Sequence, residues 1–267
     1  MENVALPGGW REINGKTEQT DQNIKTMTLL EAIKVRHSVR QYIDKPIEAK
    51  KITQLQALID ECNSEMGVHI QLVTNEPNAF SGGLAKYGKF SGVSNYLTMI
   101  GKKGSDEAIG YCGEKIVLLA QTLGLNSCWV GLTFRKQPDK YEIREGEVLN
   151  SVIALGYGVT QGVQHPQKKS FDDVAKDMRS LNEKMVNEQM SKYPGWFRAG
   201  VEAALLAPTA VNQQKFLFVL HDNNRVEAKP NYLLIGSYVH TDLGIVKYHF
   251  EIGAGKENFE WINCSTD

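Results

Sequence analysis

Apolar positions along the chain fall into two trains of elements separated by a polar stretch. Residues 1–26 are polar and aperiodic and read as a loosely held arm. Leu29, Leu30, Ile33 and Val35 then predict a short helix, and Lys45-Pro46 interrupts the chain. Pro46 suits the first turn of a second helix over 47–62, with Ile52, Leu55, Leu58, Ile59 and Cys62 on one side. Gly67 stops it, and residues 68–74 alternate as a strand does. Residues 76–94 mix Gly82, Gly83, Gly88 and Gly92 with aromatics, as lids often do. A strand is expected over 95–100. The helix over 106–123 buries Ile109, Cys112, Ile116, Leu119, Ala120 and Leu123 and ends at Gly124. Residues 127–132 form a short apolar segment, and 148–155 a strand closed by Gly156-Tyr157-Gly158.

Residues 160–192 are polar and read as a connector. The pattern then restarts: an apolar helix over 196–206 ending at Ala207-Pro208, a strand over 215–220, a helix over 239–254 and a strand over 258–262. Both trains run helix, strand, long helix, strand. Gly110 and Ala120 in one long helix share the spacing of Gly244 and Ala254 in the other. This is either an internal duplication, mimicking a homodimer within one chain, or two parts of one ordinary α/β layer. The expected organisation is an arm over 1–26, a first half over 27–160, a connector over 161–194 and a second half over 195–267 that completes the same domain.

Composition narrows the function. Among 267 residues, 42% are hydrophobic and 23% charged, which supplies a large core and excludes a disordered chain. A net charge of −1 provides no global field for nucleic acid or an anionic membrane, so any phosphate-binding charge is local. The apolar runs are too short to span a bilayer, and residues 1–26 contain no apolar signal core; a cytoplasmic protein is expected. Cys62, Cys112, Cys128 and Cys264 form no Cys-x-x-Cys pair and read as reduced, mostly buried thiols. The six histidines lack metal-ligand spacing, so no metal is expected. There is no P-loop, no Gly-x-Gly-x-x-Gly after a strand and no Gly-x-Ser-x-Gly elbow.

Four local constellations carry candidate chemistry. Arg36-His37-Ser38-Val39-Arg40 places two guanidinium groups four residues apart, on one face if helical, with a hydroxyl between them that suits a phosphate or carbonyl oxygen. Ala207-Pro208-Thr209-Ala210-Val211-Asn212-Gln213-Gln214 offers amides and a hydroxyl before a core strand, where they read a heterocycle edge or satisfy their own turn. In Gly124-Leu-Asn-Ser-Cys-Trp129-Val130-Gly131, the last glycine admits close approach of backbone to a flat ligand, with Trp129 as a wall. Lys168 and Lys169, ahead of a helix start, suit a dianionic phosphate or are simply solvated.

Together these runs resemble the FMN-dependent nitroreductases, over roughly residues 27–262. Arg36 to Tyr42 resembles that family's opening motif, residues 207–214 its flavin-contacting loop, and Gly124 to Gly131 its Gly-Leu-Gly-x-x-Trp-x-Gly segment, with Asn126 replacing the second glycine. Lys168 or Lys169 matches its late basic contact. One departure stands out: the Ala-Pro-Thr-Ala loop lies in the second half, not soon after the first motif. That points to a divergent branch carrying a fused pseudo-dimer with one surviving FMN site.

The resemblance implies an α+β fold, a three-layer α/β/α sandwich with a mostly antiparallel central sheet and two pseudo-repeated halves. It implies an NAD(P)H-driven ping-pong oxidoreductase acting on nitroaromatic, quinone or similar small electron-poor acceptors, with NADH or NADPH as donor. No side-chain catalyst is implied. Arg36 and Ser38, with Lys168 or Lys169, would hold the phosphate and ribityl tail, and His37 would also contact the cofactor; Arg40 would tune the ring; backbone at Val130 or Gly131 would approach its reactive nitrogen. Trp129, Pro208, Thr209, Ala210 and Asn212 would line the ring. The chain is expected as a monomer with an internal pseudo-dimer, or as a homodimer. The alternative is an FMN-sequestering regulatory flavoprotein with little turnover, the 76–94 segment acting as a cover.

Overall fold

The computed structural model describes residues 10–13, 16–19, 26–180, 193–231 and 238–262. The rest of the N-terminal arm, residues 181–192 of the connector, and Cys264 lie outside the described residues. The elements are β1 (Trp10–Ile13), β2 (Lys16–Gln19), α1 (Leu29–Val35), α2 (Ala49–Met66), β3 (Gln71–Val73), α3 (Gly83–Tyr87), β4 (Asn95–Lys102), α4 (Asp106–Thr122), β5 (Asn126–Val130) and β6 (Glu147–Gly156). They continue with α5 (Phe171–Val174), β7 (Ala175–Asp177), α6 (Gly195–Leu205), β8 (Phe216–His221), β9 (Arg225–Pro230), α7 (Val239–Ala254) and β10 (Glu260–Trp261).

The fold is α+β with mostly antiparallel pairing, carried by two four-stranded sheets. The first, ordered β3-β4-β6-β5, is antiparallel throughout. The second, ordered β10-β9-β8-β7, pairs its central strands antiparallel and its outer strands parallel. Leu55 and Ile59 of α2 and Ile109 and Ile116 of α4 pack on Leu97, Met99 and Ile153 of the first sheet. Its other face is closed by Val39, Tyr42, Phe80 and Phe90. In the second unit, Phe197 and Val201 of α6 and Val246 and Phe250 of α7 cover Phe216, Phe218 and Val226.

The long helices α4 and α7 meet backbone to backbone, with the sheets behind them. A Cβ on Gly110 would lie 1.9 Å from the Thr241 carbonyl oxygen, and a Cβ on Gly244 would lie 1.9 Å from that of Glu107. The relation is reciprocal: each glycine faces the carbonyl three residues before the other. Polar pairs flank the crossing, with Lys247 Nζ 2.6 Å from Glu107 and Tyr111 Oη donating to Glu251 at 2.6 Å.

Several expectations shift. Helix α2 runs on to Met66, where Gly67 takes the left-handed conformation (φ 64°) that lets it stop. The strand expected over 68–74 pairs only at 71–73, and that over 258–262 only at 260–261, after a single 3₁₀ turn. The 76–94 segment contains a 3₁₀ turn and α3. The connector supplies α5 and β7, and β7 joins the second sheet beside β8. Strand β9 was not expected; Asn223 and Asn224 adopt φ of 61° and 54° and turn β8 back on itself. In the arm, β1 and β2 pair antiparallel, with Trp10 opposite Gln19 and Ile13 opposite Lys16.

Candidate functional site

A cavity of about 890 Å³ opens between the two units, within the usual range for small-molecule sites. Its floor begins where α1 ends. Thr28 and Glu31 form a capping box that starts this helix, and Arg36 leaves it in extended conformation (φ −71°, ψ 124°). Beyond that the chain stays extended: the Val39 N–H donates to the Ser127 carbonyl at 3.0 Å and the Tyr42 N–H to that of Ser91 at 3.0 Å. Arg36 and Arg40 therefore do not share a helical face, as expected from their spacing. The two-residue alternation of extended backbone, with Val39 in the core, turns Arg36, Ser38 and Arg40 to the cavity instead.

Arg36 is the central group. Its side chain is 6% exposed, and its Nε lies 3.7 Å from the fully buried Glu114 carboxylate, too far for a hydrogen bond. Arg36 Nε and Nη1 have no hydrogen-bond partner, nor does the buried hydroxyl of Ser151, also in the cavity lining. Unsatisfied buried donors call for an explanation, and an absent polar ligand supplies one. Among the described residues the lining carries Lys34, Arg36, Arg40, Lys89 and Lys168 with a single carboxylate, Asp242. Partial burial, with the Arg36 charge and His165 beside it, lowers the His37 pKa below the ordinary histidine value.

The opposite wall is the 206–214 loop. Gln214 is buried and ties it together: its side-chain oxygen accepts from the Lys168 and Lys169 N–H groups at 2.9 and 3.0 Å, and its Nε2 donates to the Leu205 carbonyl at 2.9 Å. Asn212 donates to the Pro166 carbonyl of the connector at 3.0 Å and Thr209 Oγ1 accepts from the Gln214 N–H within the loop at 3.0 Å, so both spend hydrogen-bonding capacity inside the protein. Lys168 Nζ lies within hydrogen-bond distance of the Val211 carbonyl, while Lys169 does not line the cavity. The pair of lysines expected at the phosphate thus reduces to Lys168. Gly131 also has another role than the one expected: a Cβ there would sit 2.7 Å from the Tyr238 ring, so the glycine makes room for that tyrosine.

Asp242, in the first turn of α7, anchors this wall. Its carboxylate accepts from the Ala210 N–H at 3.0 and 3.1 Å and from Gln213 Nε2 at 2.8 Å. Burial nevertheless pushes its pKa from 3.8 up to about 6, against the lowering effect of those two donors. The folded protein thus takes up this proton before the unfolded chain does as pH falls. Above pH 6 the buried charge carries a penalty of roughly 3 kcal/mol, which is relieved between about pH 6 and 4. Asp242→Asn should stabilise the protein at pH 7 by about 1–2 kcal/mol, since the amide retains part of the desolvation cost. In denaturant melts this advantage should shrink from pH 7 to pH 4; a variant less stable than wild type at pH 7 would contradict the assignment.

Of the residues singled out from sequence, Arg36, His37, Ser38, Arg40, Trp129, Val130, Gly131, Lys168, Pro208, Thr209, Ala210 and Asn212 all line this one cavity. Sequence reasoning missed Ser151, Tyr238, Asp242 and the buried Glu114. Glu114 is a charged residue in a helix with buried glycines at 110 and 113, the mark of a helix covered on both sides. Cys62, Cys112 and Cys128 are buried and free, as expected. Among the described residues no His, Cys, Asp and Glu cluster could hold a metal ion, and no helix is long and apolar enough to cross a membrane.

A family model described as "Putative TM nitroreductase" matches residues 28–254. A crystal structure from Thermotoga maritima, described as a putative nitroreductase, aligns over 94% of this chain and 96% of that one, with a TM-score of 0.61 at 18% identity, which is a likeness of fold. A nitroreductase with bound FMN from Bacteroides fragilis aligns over 53% of this chain and 94% of that one, with a TM-score of 0.40 at 20% identity. No curated protein matches the chain.

Proposed function

Since the chain belongs to this nitroreductase family, we propose that it is an FMN-dependent oxidoreductase that passes electrons from NADH or NADPH to a small electron-poor acceptor, such as a nitroaromatic or a quinone. The observation that carries this reading is the unpartnered Arg36 guanidinium, buried in the floor of a cavity where the runs expected to bind flavin converge.

The lining fits the cofactor. Arg36, Ser38 and Lys168 hold the phosphate and ribityl tail, using charge-assisted hydrogen bonds. Ile33, Trp129, Pro208 and Ile245 give the apolar surface that a flat ring needs. Bound there, the cofactor supplies two-electron chemistry in a ping-pong cycle through one site. Arg40 would lend the site a positive charge that favours a reduced, anionic cofactor. The Cys128 thiol, whose pKa burial raises, stays protonated and out of the chemistry. We read the reciprocal Gly110–Gly244 crossing as the seam of a fused pseudo-dimer, with units over 27–160 and 195–267 joined by the 161–194 connector. Each unit contributes one wall, so one chain builds the site.

The purified protein should be yellow and should oxidise NADH or NADPH in the presence of a nitroarene or quinone. A colourless protein that takes up no added FMN overturns the reading. Residues 87–90 line the cavity from the glycine-rich segment and favour a second reading, FMN storage beneath a cover. Tight FMN binding without turnover would select it.

A further inference from the structure

The buried pair Glu114–His249 joins the two units directly beneath Arg36 and enters none of the steps above. His249 lies on α7, its carboxylate partner on α4, 135 residues away. Beside a buried carboxylate, a guanidinium ordinarily closes into a two-pronged pair at about 2.7–2.9 Å. Here it does not. Arg36 Nε stands 3.7 Å from Glu114 Oε1, and Nε and Nη1 are without partners.

Each oxygen already has one partner, and the two together fix the orientation of the carboxylate. His249 Nε2 lies 2.9 Å from Oε1, and Trp129 Nε1 donates to Oε2 at 2.9 Å. The far side of the imidazole fixes the arrangement. His249 Nδ1 lies 3.0 Å from the Ala203 carbonyl of α6, which can only accept, so Nδ1 carries a hydrogen. One further proton is shared between Nε2 and Oε1. Burial raises the Glu114 pKa, but the hydrogen bond and charge of His249, with Arg36 and Trp129, outweigh it and leave the carboxyl below its ordinary value. With that one proton shared between them, the pair is neutral overall. Among the described residues Arg36 and His249 are the basic groups facing Glu114, and the neutral pair leaves the Arg36 charge uncancelled.

We propose that His249 is a positioning residue: by holding the Glu114 carboxylate in this orientation it keeps Arg36 from closing onto that carboxylate and leaves the guanidinium open to an anion in the cavity. The ligand end of this inference rests on the FMN reading above.

The test is a set of variants of the full chain, read by FMN titration of the apoprotein and by the NMR signal of Arg36 Nε–H in the ligand-free protein. His249→Phe removes the competing donor; Arg36 should close on Glu114, shifting its Nε–H signal, and FMN affinity should fall roughly 10–100-fold. His249→Gln keeps a donor toward Oε1 and should retain affinity. Glu114→Gln/His249→Phe should restore it, because no carboxylate remains to capture Arg36. A purely structural role makes that double variant at least as weak as His249→Phe, and this result would overturn the proposal. So would an unshifted Arg36 signal in His249→Phe. If His249→Phe fails to fold, Glu114→Gln decides: its amide can donate to His249 and accept from Trp129, and it should bind FMN at least as tightly as wild type, whereas weaker binding overturns the proposal. A wild-type protein that ignores FMN overturns the functional reading instead, whatever the Arg36 signal shows.

Discussion

Arg36→Ala should lower the affinity of the apoprotein for FMN by about 10–100-fold while leaving thermal stability near that of wild type. Loss of one charge-assisted hydrogen bond is worth roughly 1.5–3 kcal/mol, and 1.4 kcal/mol is tenfold in affinity. The separation of binding from stability follows from the local geometry. Arg36 makes no hydrogen bond from Nε or Nη1, and Glu114 keeps His249 and Trp129 when the guanidinium is gone. Truncation leaves no newly orphaned charge behind, only the lost packing of the Arg stem. Arg36→Lys should recover part of the affinity, since an ammonium supplies charge without the planar fork. Flavin fluorescence titration beside a denaturant melt measures both quantities. Equal FMN affinity in wild type and Arg36→Ala would remove this residue from the site.

The second large effect is expected at the crossing of α4 and α7. Gly110→Ala or Gly244→Ala places a methyl group inside the radius of a backbone carbonyl oxygen, which has no rotamer to escape into. The helices must part, and overpacking of this kind costs about 1–3 kcal/mol, with more for Gly244→Val. Because each glycine faces the turn that carries the other, one substitution already opens the space needed by the second. The double Ala variant should thus fall short of the sum of the singles. Urea melts of the three variants measure this, and singles within about 0.5 kcal/mol of wild type, the usual range for harmless surface changes, would refute the close crossing.

The residues singled out from sequence converge on one cavity, but their geometry was not legible. The motif residues are identifiable because their types are unusual in position: two arginines around a serine at a helix end, a run of amides after Ala207-Pro208. Their common cavity is a consequence of the fold that those runs imply. The extended course of 36–42 was hidden because Arg-x-Ser-x-Arg satisfies a helical and an extended spacing equally well. Strand β9 was hidden because Arg225, Glu227 and Lys229 make it polar, and only Asn223-Asn224 announces the turn. The Glu114–His249 pair lies beyond local reading altogether, since nothing in either helix specifies a partner in the other.

The glycine crossing also bears on how molecules enter and leave. Two helices whose backbones touch cannot slide past one another without a collision at every intermediate position, and packed interiors transmit such strain rather than absorb it. The seam between the lobes behaves as a rivet and not as a hinge. Traffic through the cavity mouth then falls to the peripheral chain near Tyr87 and Val211, both almost fully exposed at its edge. Any opening of the cavity mouth therefore belongs to these short surface segments, with the two lobes held in register.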